Sequence, residues 1–101
     1  MKRTENDRLS RGLRRVRGWC RGHRHWRGKA QHRILVQKVR GHYAYYGVTS
    51  NYAALARFWH EVKATWRKWL SRRSQKGFLD WPQMHRLLER YPLPAPRIVH
   101  R

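Results

Sequence analysis

The sequence predicts an all-α protein, a small bundle of three to four helices with an extended Pro-rich C-terminal tail. Apolar residues recur at spacings of three and four along several stretches, as they do on one face of a helix. No stretch alternates apolar and polar residues in the way a half-buried strand requires. Gly, Asn and Pro residues punctuate the helical stretches. A length of 101 residues allows one domain, 1–101, and a domain this small buries only about 60% of its unfolded surface, so stability is marginal.

The first helix is expected from about Glu5 to Arg21, where Leu9, Leu13, Val16 and Cys20 form one narrow apolar stripe. Arg11, Arg14 and Arg21 lie on the opposite side, flanked by Arg8 and Arg15. Gly22 and Gly28 bracket a basic, aromatic loop, His23-Arg24-His25-Trp26-Arg27. The second helix is expected from about Lys29 to Tyr46. Leu35, Val39, His42 and Tyr46 share its buried face, broadened by Val36 and Tyr43, while Arg33, Gln37 and Arg40 point away. Gly41 costs a helix interior about 1 kcal/mol relative to Ala. A Gly there marks the close approach of either another helix or an RNA backbone. Gly47 is a C-terminal stop.

Ser50 or Asn51 caps the third and longest helix, which is expected to run to about Ser74. Tyr52, Leu55, Trp59, Val62, Trp66 and Trp69 form its core stripe, with Lys63 as an imperfection on that side. Arg57, Lys68 and Arg72 occupy the reverse face, with Glu61 among them. Gln75-Lys76-Gly77 makes a turn. Asp80-Trp81-Pro82-Gln83 then starts a fourth helix, with Asp80 as cap and Gln83 three residues on. Met84, Leu87, Leu88 and Tyr91 give it an apolar face, and Pro92, Pro94 and Pro96 leave the tail extended.

Charge points to a polyanion. Twenty-five Lys and Arg stand against five Asp and Glu, a formal net charge of +20. Self-repulsion on that scale falls when phosphates sit beside the cations, which makes nucleic acid the favoured partner. An anionic membrane surface is the alternative, but Trp and Leu are spread over several helices rather than gathered into one anchor. No run of about eighteen apolar residues suggests a span, and Met1-Lys2-Arg3-Thr4-Glu5-Asn6-Asp7 lacks the apolar region of a secretory signal. Cys20 is the single cysteine, which fits a reducing, cytoplasmic setting.

The chemistry of an enzyme is not visible. A two-metal polymerase needs clustered carboxylates, whereas Glu5, Asp7, Glu61, Asp80 and Glu89 are scattered and no Tyr-x-Asp-Asp sequence occurs. Cys20, His23 and His25 are zinc-type ligands without a second ligand pair. The expectation is therefore no catalytic residue, no metal, no cofactor and no small-molecule substrate. Trp26, between Arg24 and Arg27, either stacks on an unpaired base or folds back onto the bundle.

One stretch is more specific. Val39-Arg40-Gly41-His42-Tyr43-Ala44-Tyr45-Tyr46-Gly47 precedes a Trp-rich helix ending Trp66-Arg67-Lys68-Trp69-Leu70-Ser71-Arg72-Arg73. This resembles the maturase-specific region (thumb and X domain) of group II intron-encoded reverse transcriptases. Its signature is Leu-Arg-Gly, a Trp or a substitute, two variable positions and a Tyr-Tyr or Tyr-Phe pair. Arg40, Gly41, Tyr45 and Tyr46 match, while Val39 stands for the Leu, His42 for the commoner Trp and Ala44 for a frequent Asn. Weaker likeness extends through Gln31-His32-Arg33 and the run from Pro92 to His100.

The resemblance implies a C-terminal portion of a longer protein, lacking the reverse-transcriptase palm. It implies binding and stabilisation of group II intron RNA for splicing, with the RNA itself performing the transesterifications, and contacts to an RNA/DNA template–primer duplex in a full-length protein. Such work asks for rows of cations on a rigid scaffold. Arg11, Arg14, Arg21, Arg24, Trp26, Arg33, Arg40, Gly41, Arg57, Lys68 and Arg72 are the expected contacts. The alternatives are a free-standing basic nucleic-acid-binding module and an inactive remnant of a truncated intron protein.

Overall fold

A computed structural model of the chain describes the backbone of residues 2–46, 52–72 and 79–96, and within those ranges the side chains from Leu9 onward except at 45 and 46. Four helices run in order: α1 (Lys2–Gly22), α2 (Gly28–Tyr46), α3 (Tyr52–Arg72) and α4 (Trp81–Arg90). No strand occurs among the described residues, and the fold is an all-α bundle. α1 begins at Lys2 rather than at Glu5, and α2 takes in Gly28, because neither start is marked by an apolar residue. The expected Gly47 stop, the cap at Ser50 or Asn51, the Gln75-Lys76-Gly77 turn and residues 97–101 lie outside the described residues.

α1 packs against both α2 and α3. One core joins every element: Leu13, Val16 and Cys20 of α1, Leu35 and Val39 of α2, Phe58, Val62 and Trp66 of α3, Met84 of α4 and Leu93 of the tail. Trp66 is the largest side chain buried there, at 1% exposure, and an indole N–H so buried needs an acceptor. Gln31, itself 3% exposed, supplies it: Trp66 Nε1 donates to Gln31 Oε1 at 3.0 Å. The other end of the same amide, Nε2, donates to the carbonyl of His23 at 3.0 Å. That carbonyl also accepts from the Trp26 N–H at 3.1 Å, so the α1–α2 connection is tied to the α3 core through one side chain.

The stripe of α3 is shifted from expectation. Leu55, Phe58, Val62, Thr65 and Trp66 are buried, whereas Tyr52 is 52% exposed and Trp59 and Trp69 are half-buried. Positions 55, 62 and 66 serve either stripe; packing of α1 and α2 onto the Phe58 side chose between them. Lys63, on the apolar side as expected, reaches out so that its Nζ lies 3.6 Å from the centre of the Trp59 ring.

α4 begins as its sequence predicts. The Asp80 side chain accepts from the Gln83 N–H at 2.9 Å and the Gln83 side chain accepts from the Asp80 N–H at 3.1 Å, a reciprocal capping box. α3 holds this start in place. Arg67 Nη1 donates to the Leu79 carbonyl at 2.8 Å, Ser71 Oγ accepts from the Leu79 N–H at 3.0 Å, and the Arg67 guanidinium lies 4.7 Å over Trp81.

Residues 92–96 of the tail form no helix or strand, and they are fastened to the bundle. Three successive carbonyls accept from three rings: Pro92 from His32 Nε2 at 2.7 Å, Leu93 from Trp59 Nε1 at 3.0 Å, and Pro94 from the Tyr43 hydroxyl at 2.8 Å. Because a carbonyl only accepts, His32 carries its proton on Nε2. Leu93, among these attachments, and Pro96, just beyond them, are buried.

The close helix approach falls on Gly12, not on Gly41. A Cβ at Gly12 meets His42 Nδ1 at 2.8 Å and Phe58 Cε1 at 2.9 Å, while nothing lies within 4 Å of one at Gly41 or Gly18. His42 and Phe58 form a stack, with centroids 3.7 Å apart and planes 6° from parallel, and bare Gly12 lets α1 settle against their edges. The reading of Gly41 as a helix–helix contact is therefore overturned.

Gly12→Ala should destabilise the bundle by about 1–2 kcal/mol, overpacking outweighing the gain in helix propensity. Gly18→Ala, in open space, should stabilise by about 0.5–1 kcal/mol. Thermal melts followed by circular dichroism read both signs, and a stabilised Gly12→Ala would refute the close contact. On the same assay Trp66→Ala should abolish the folding transition, since truncating a buried aromatic costs about 3–5 kcal/mol. Gln31→Leu should cost about 1–3 kcal/mol by orphaning the indole N–H.

Candidate nucleic-acid interface

α2 presents the best-defined basic groove. Lys29, Arg33, Gln37 and Arg40 succeed one another at helical spacing along its exposed side, and Arg27 enters from the α1–α2 connection. Together with His32, Val36 and Tyr91 they line a groove of about 780 Å³, with no carboxylate among the described residues that line it. Its cations are exposed, whereas His32 and Tyr91 are half-buried with ring centres 5.4 Å apart. The His32 bond to the Pro92 carbonyl fixes that ring. Four cations therefore border an aromatic floor held still by the core, a combination suited to phosphates at the rim and a base or sugar face on the floor.

The other expected contacts form separate groups. Arg14 of α1 and Arg57 of α3 line a second groove with Arg17 and Glu61, where the carboxylate offsets part of the positive charge. Lys68 and Arg72 lie 5.7 Å and 5.4 Å from the Trp69 ring centre, so both heads sit on an indole before any ligand arrives. Arg11 and Arg21 are exposed on α1. Arg24 is half-buried, and its Nη1 donates to the Arg21 carbonyl at 3.3 Å. Trp26 packs edge-on against Trp19 and His23, at 5.6 Å and 4.6 Å between centroids, and remains 43% exposed. It has folded back and still presents surface. Gly41 is exposed.

Arg27, Lys29, His32 and Tyr91 were not among the expected contacts. Lys29 was legible, since it extends the Arg33–Gln37–Arg40 row by one turn. Tyr91 was not, being brought to α2 only by the docking of α4 and the tail.

Burial fixes the protonation of several groups. Burial pushes the Cys20 thiol up to about 12, with the Lys38 charge opposing, so it is an uncharged core side chain. His23, the neighbouring zinc-type residue, is stacked on Trp19 at 4.5 Å and directs Nδ1 at the Trp19 carbonyl, 2.8 Å away. Among the described residues no three His, Cys, Asp or Glu side chains stand together in a way that would hold a metal. Burial raises the Tyr43 hydroxyl, as does the nearby Tyr52, which keeps it a donor to Pro94. Burial lowers Lys63. His42 is pushed down to about 4, first by burial and then by the positive charge of Arg15, so it is neutral in the stack with Phe58.

No family model, curated protein or solved structure matches the chain. Among the described residues no helix is long and apolar enough to cross a membrane.

The His42 shift has a definite sign. An unfolded His titrates near 6.5 and folded His42 near 4, so between those values the unfolded chain holds a proton that the folded chain lacks. Stability should be undiminished by this group above pH 6.5 and fall as pH drops from there through about 4. Urea midpoints at pH 7 and pH 5, compared between the wild type and His42→Phe, test this. An equal loss in the two proteins would refute it.

Proposed function

We propose that this chain is a non-catalytic RNA-binding domain of the maturase type, binding and stabilising group II intron RNA through the exposed cations of its helices. The α2 groove carries the proposal. Arg33 and Arg40 share one recess with Arg27 and Lys29, and no carboxylate lines it among the described residues; Arg40 begins the Arg-Gly-His-Tyr-Ala-Tyr-Tyr run in which the resemblance lies.

The mechanism asks little of chemistry and much of placement. Exposed guanidinium groups on α1, α2 and α3 neutralise phosphates and release condensed counterions, which supplies affinity without regard to sequence. The helices hold these cations at fixed separations, so RNA whose phosphates match that spacing is selected by shape. His32, Tyr91 and the exposed part of Trp26 offer ring faces to unpaired bases. The protein stabilises the RNA fold, and bond exchange is left to the RNA. In a longer protein the same faces would serve a template–primer duplex.

A free-standing basic nucleic-acid-binding module is the second reading, favoured by a core that runs unbroken from α1 to the tail. The two readings diverge in selectivity. A maturase domain prefers group II intron transcripts over a generic duplex of equal length, whereas a general module treats both alike.

The purified chain should bind structured RNA with a slope of log K against log[salt] of about −4 to −5, corresponding to about six phosphate contacts. Arg33→Ala with Arg40→Ala should make that slope shallower by about two while leaving helicity intact. A titration that stays flat between low and physiological salt would overturn the proposal.

A further inference from the structure

We infer that Gly41 opens a second contact site, a notch between α1 and α2 that receives the phosphate backbone of an RNA strand, flanked by Arg15 and Lys38. This rests on the RNA-binding reading above and adds to it a place, two cations and a reason for the glycine.

The notch has a volume of about 400 Å³; Arg15 of α1 and Lys38 of α2 stand on it, and the stacked pair His42 and Phe58 line it. Among the described residues, no carboxylate lines it. The Arg15 charge is close enough to His42 to help keep that ring neutral, so the stacked pair adds no charge that must itself be solvated. Lys38 is held against α1, with its Nζ 5.9 Å from the centre of the Trp19 ring. Two cations carried by two different helices thus border one small opening, where both can act on a phosphate that enters it.

The glycine is what packing leaves unexplained. Gly12 lines the same notch, and its missing Cβ is accounted for by the ring edges less than 3 Å away. At Gly41 no heavy atom beyond the helix itself lies within 4 Å of where a Cβ would be, and the residue is exposed. No described residue uses the gap. A bare backbone at that point lets another backbone come nearer than any side chain would permit. Arg40, the preceding residue, lies in the α2 groove described above. A strand crossing the exposed side of α2 therefore meets the groove cations first and the notch next.

The test sets stability against affinity in the full chain, with a structured RNA transcript as ligand. Gly41→Ala should raise the melting temperature by about 4 °C, as filling an open helical glycine does. The same substitution should weaken RNA binding about tenfold, the loss of roughly one charged phosphate contact. Arg15→Gln and Lys38→Gln should each make the salt slope shallower by about one. Gly18→Ala, an equally open helical glycine outside the notch, should raise the melting temperature with affinity unchanged.

Unchanged RNA affinity in Gly41→Ala would overturn the notch, and so would a lowered melting temperature. An equal loss of affinity in Gly18→Ala would attribute the effect to stiffer helices and overturn it as well. Wild-type protein that binds no RNA would bring down the RNA-binding reading itself. Steep, salt-dependent binding shared equally by the wild type and Gly41→Ala would remove only the notch.

Discussion

The hydrogen bond between Trp66 and Gln31 is the constraint on which the rest of the bundle depends. Burying an indole gains a large apolar contact, but only if its N–H finds a partner away from water. Gln31 meets that need from α2, and its amide then requires an acceptor of its own, which the turn after α1 provides through His23. One polar chain thus fixes the rotation of α2, the seating of α3 and the path of the connection from α1. An apolar pair at these two positions would pack as well yet specify none of the three.

Around that centre the chain faces an electrostatic difficulty, with far more cations than carboxylates to pair them. Aromatic faces take up part of the deficit. Lys38 lies over Trp19, Lys63 over Trp59, Arg67 over Trp81, and Lys68 and Arg72 over Trp69. Each such contact contributes about 0.5–1 kcal/mol at an exposed site, and it lets a long side chain cover apolar surface while its charge stays in water. The half-buried tryptophans of α3 thereby do two things at once: they close the core on one side and seat cations on the other.

Local features were legible in the sequence, and long-range ones were not. The α4 cap was readable because Asp80 and Gln83 are three residues apart and depend on nothing else. The α1 stripe was readable because Leu9, Leu13, Val16 and Cys20 fall at helical spacing in a helix otherwise rich in Arg. Tyr52 and Phe58 were confused because spacings of three and four generate two overlapping stripes on α3, and only the neighbouring helices decide between them. Gly12 and Gly41 look alike in sequence; what distinguishes them is the His42–Phe58 stack, whose members are sixteen positions apart in the numbering. Of the residues expected at the interface, Arg33 and Arg40 line one groove, while Arg14 with Arg57 and Lys68 with Arg72 form distinct patches, a division set by how the helices cross.

The fastening of residues 92–94 has a consequence for the order in which the molecule is completed. His32, Tyr43 and Trp59 are all translated well before the carbonyls they bind, so the helices emerge with three ring donors and an apolar slot for Leu93 still waiting. Proline at 92, 94 and 96 holds the arriving segment near the extended shape it adopts when bound, which lessens the entropy lost on docking. A nascent chain paused before Pro92 would leave those three ring donors and the slot for Leu93 facing solvent.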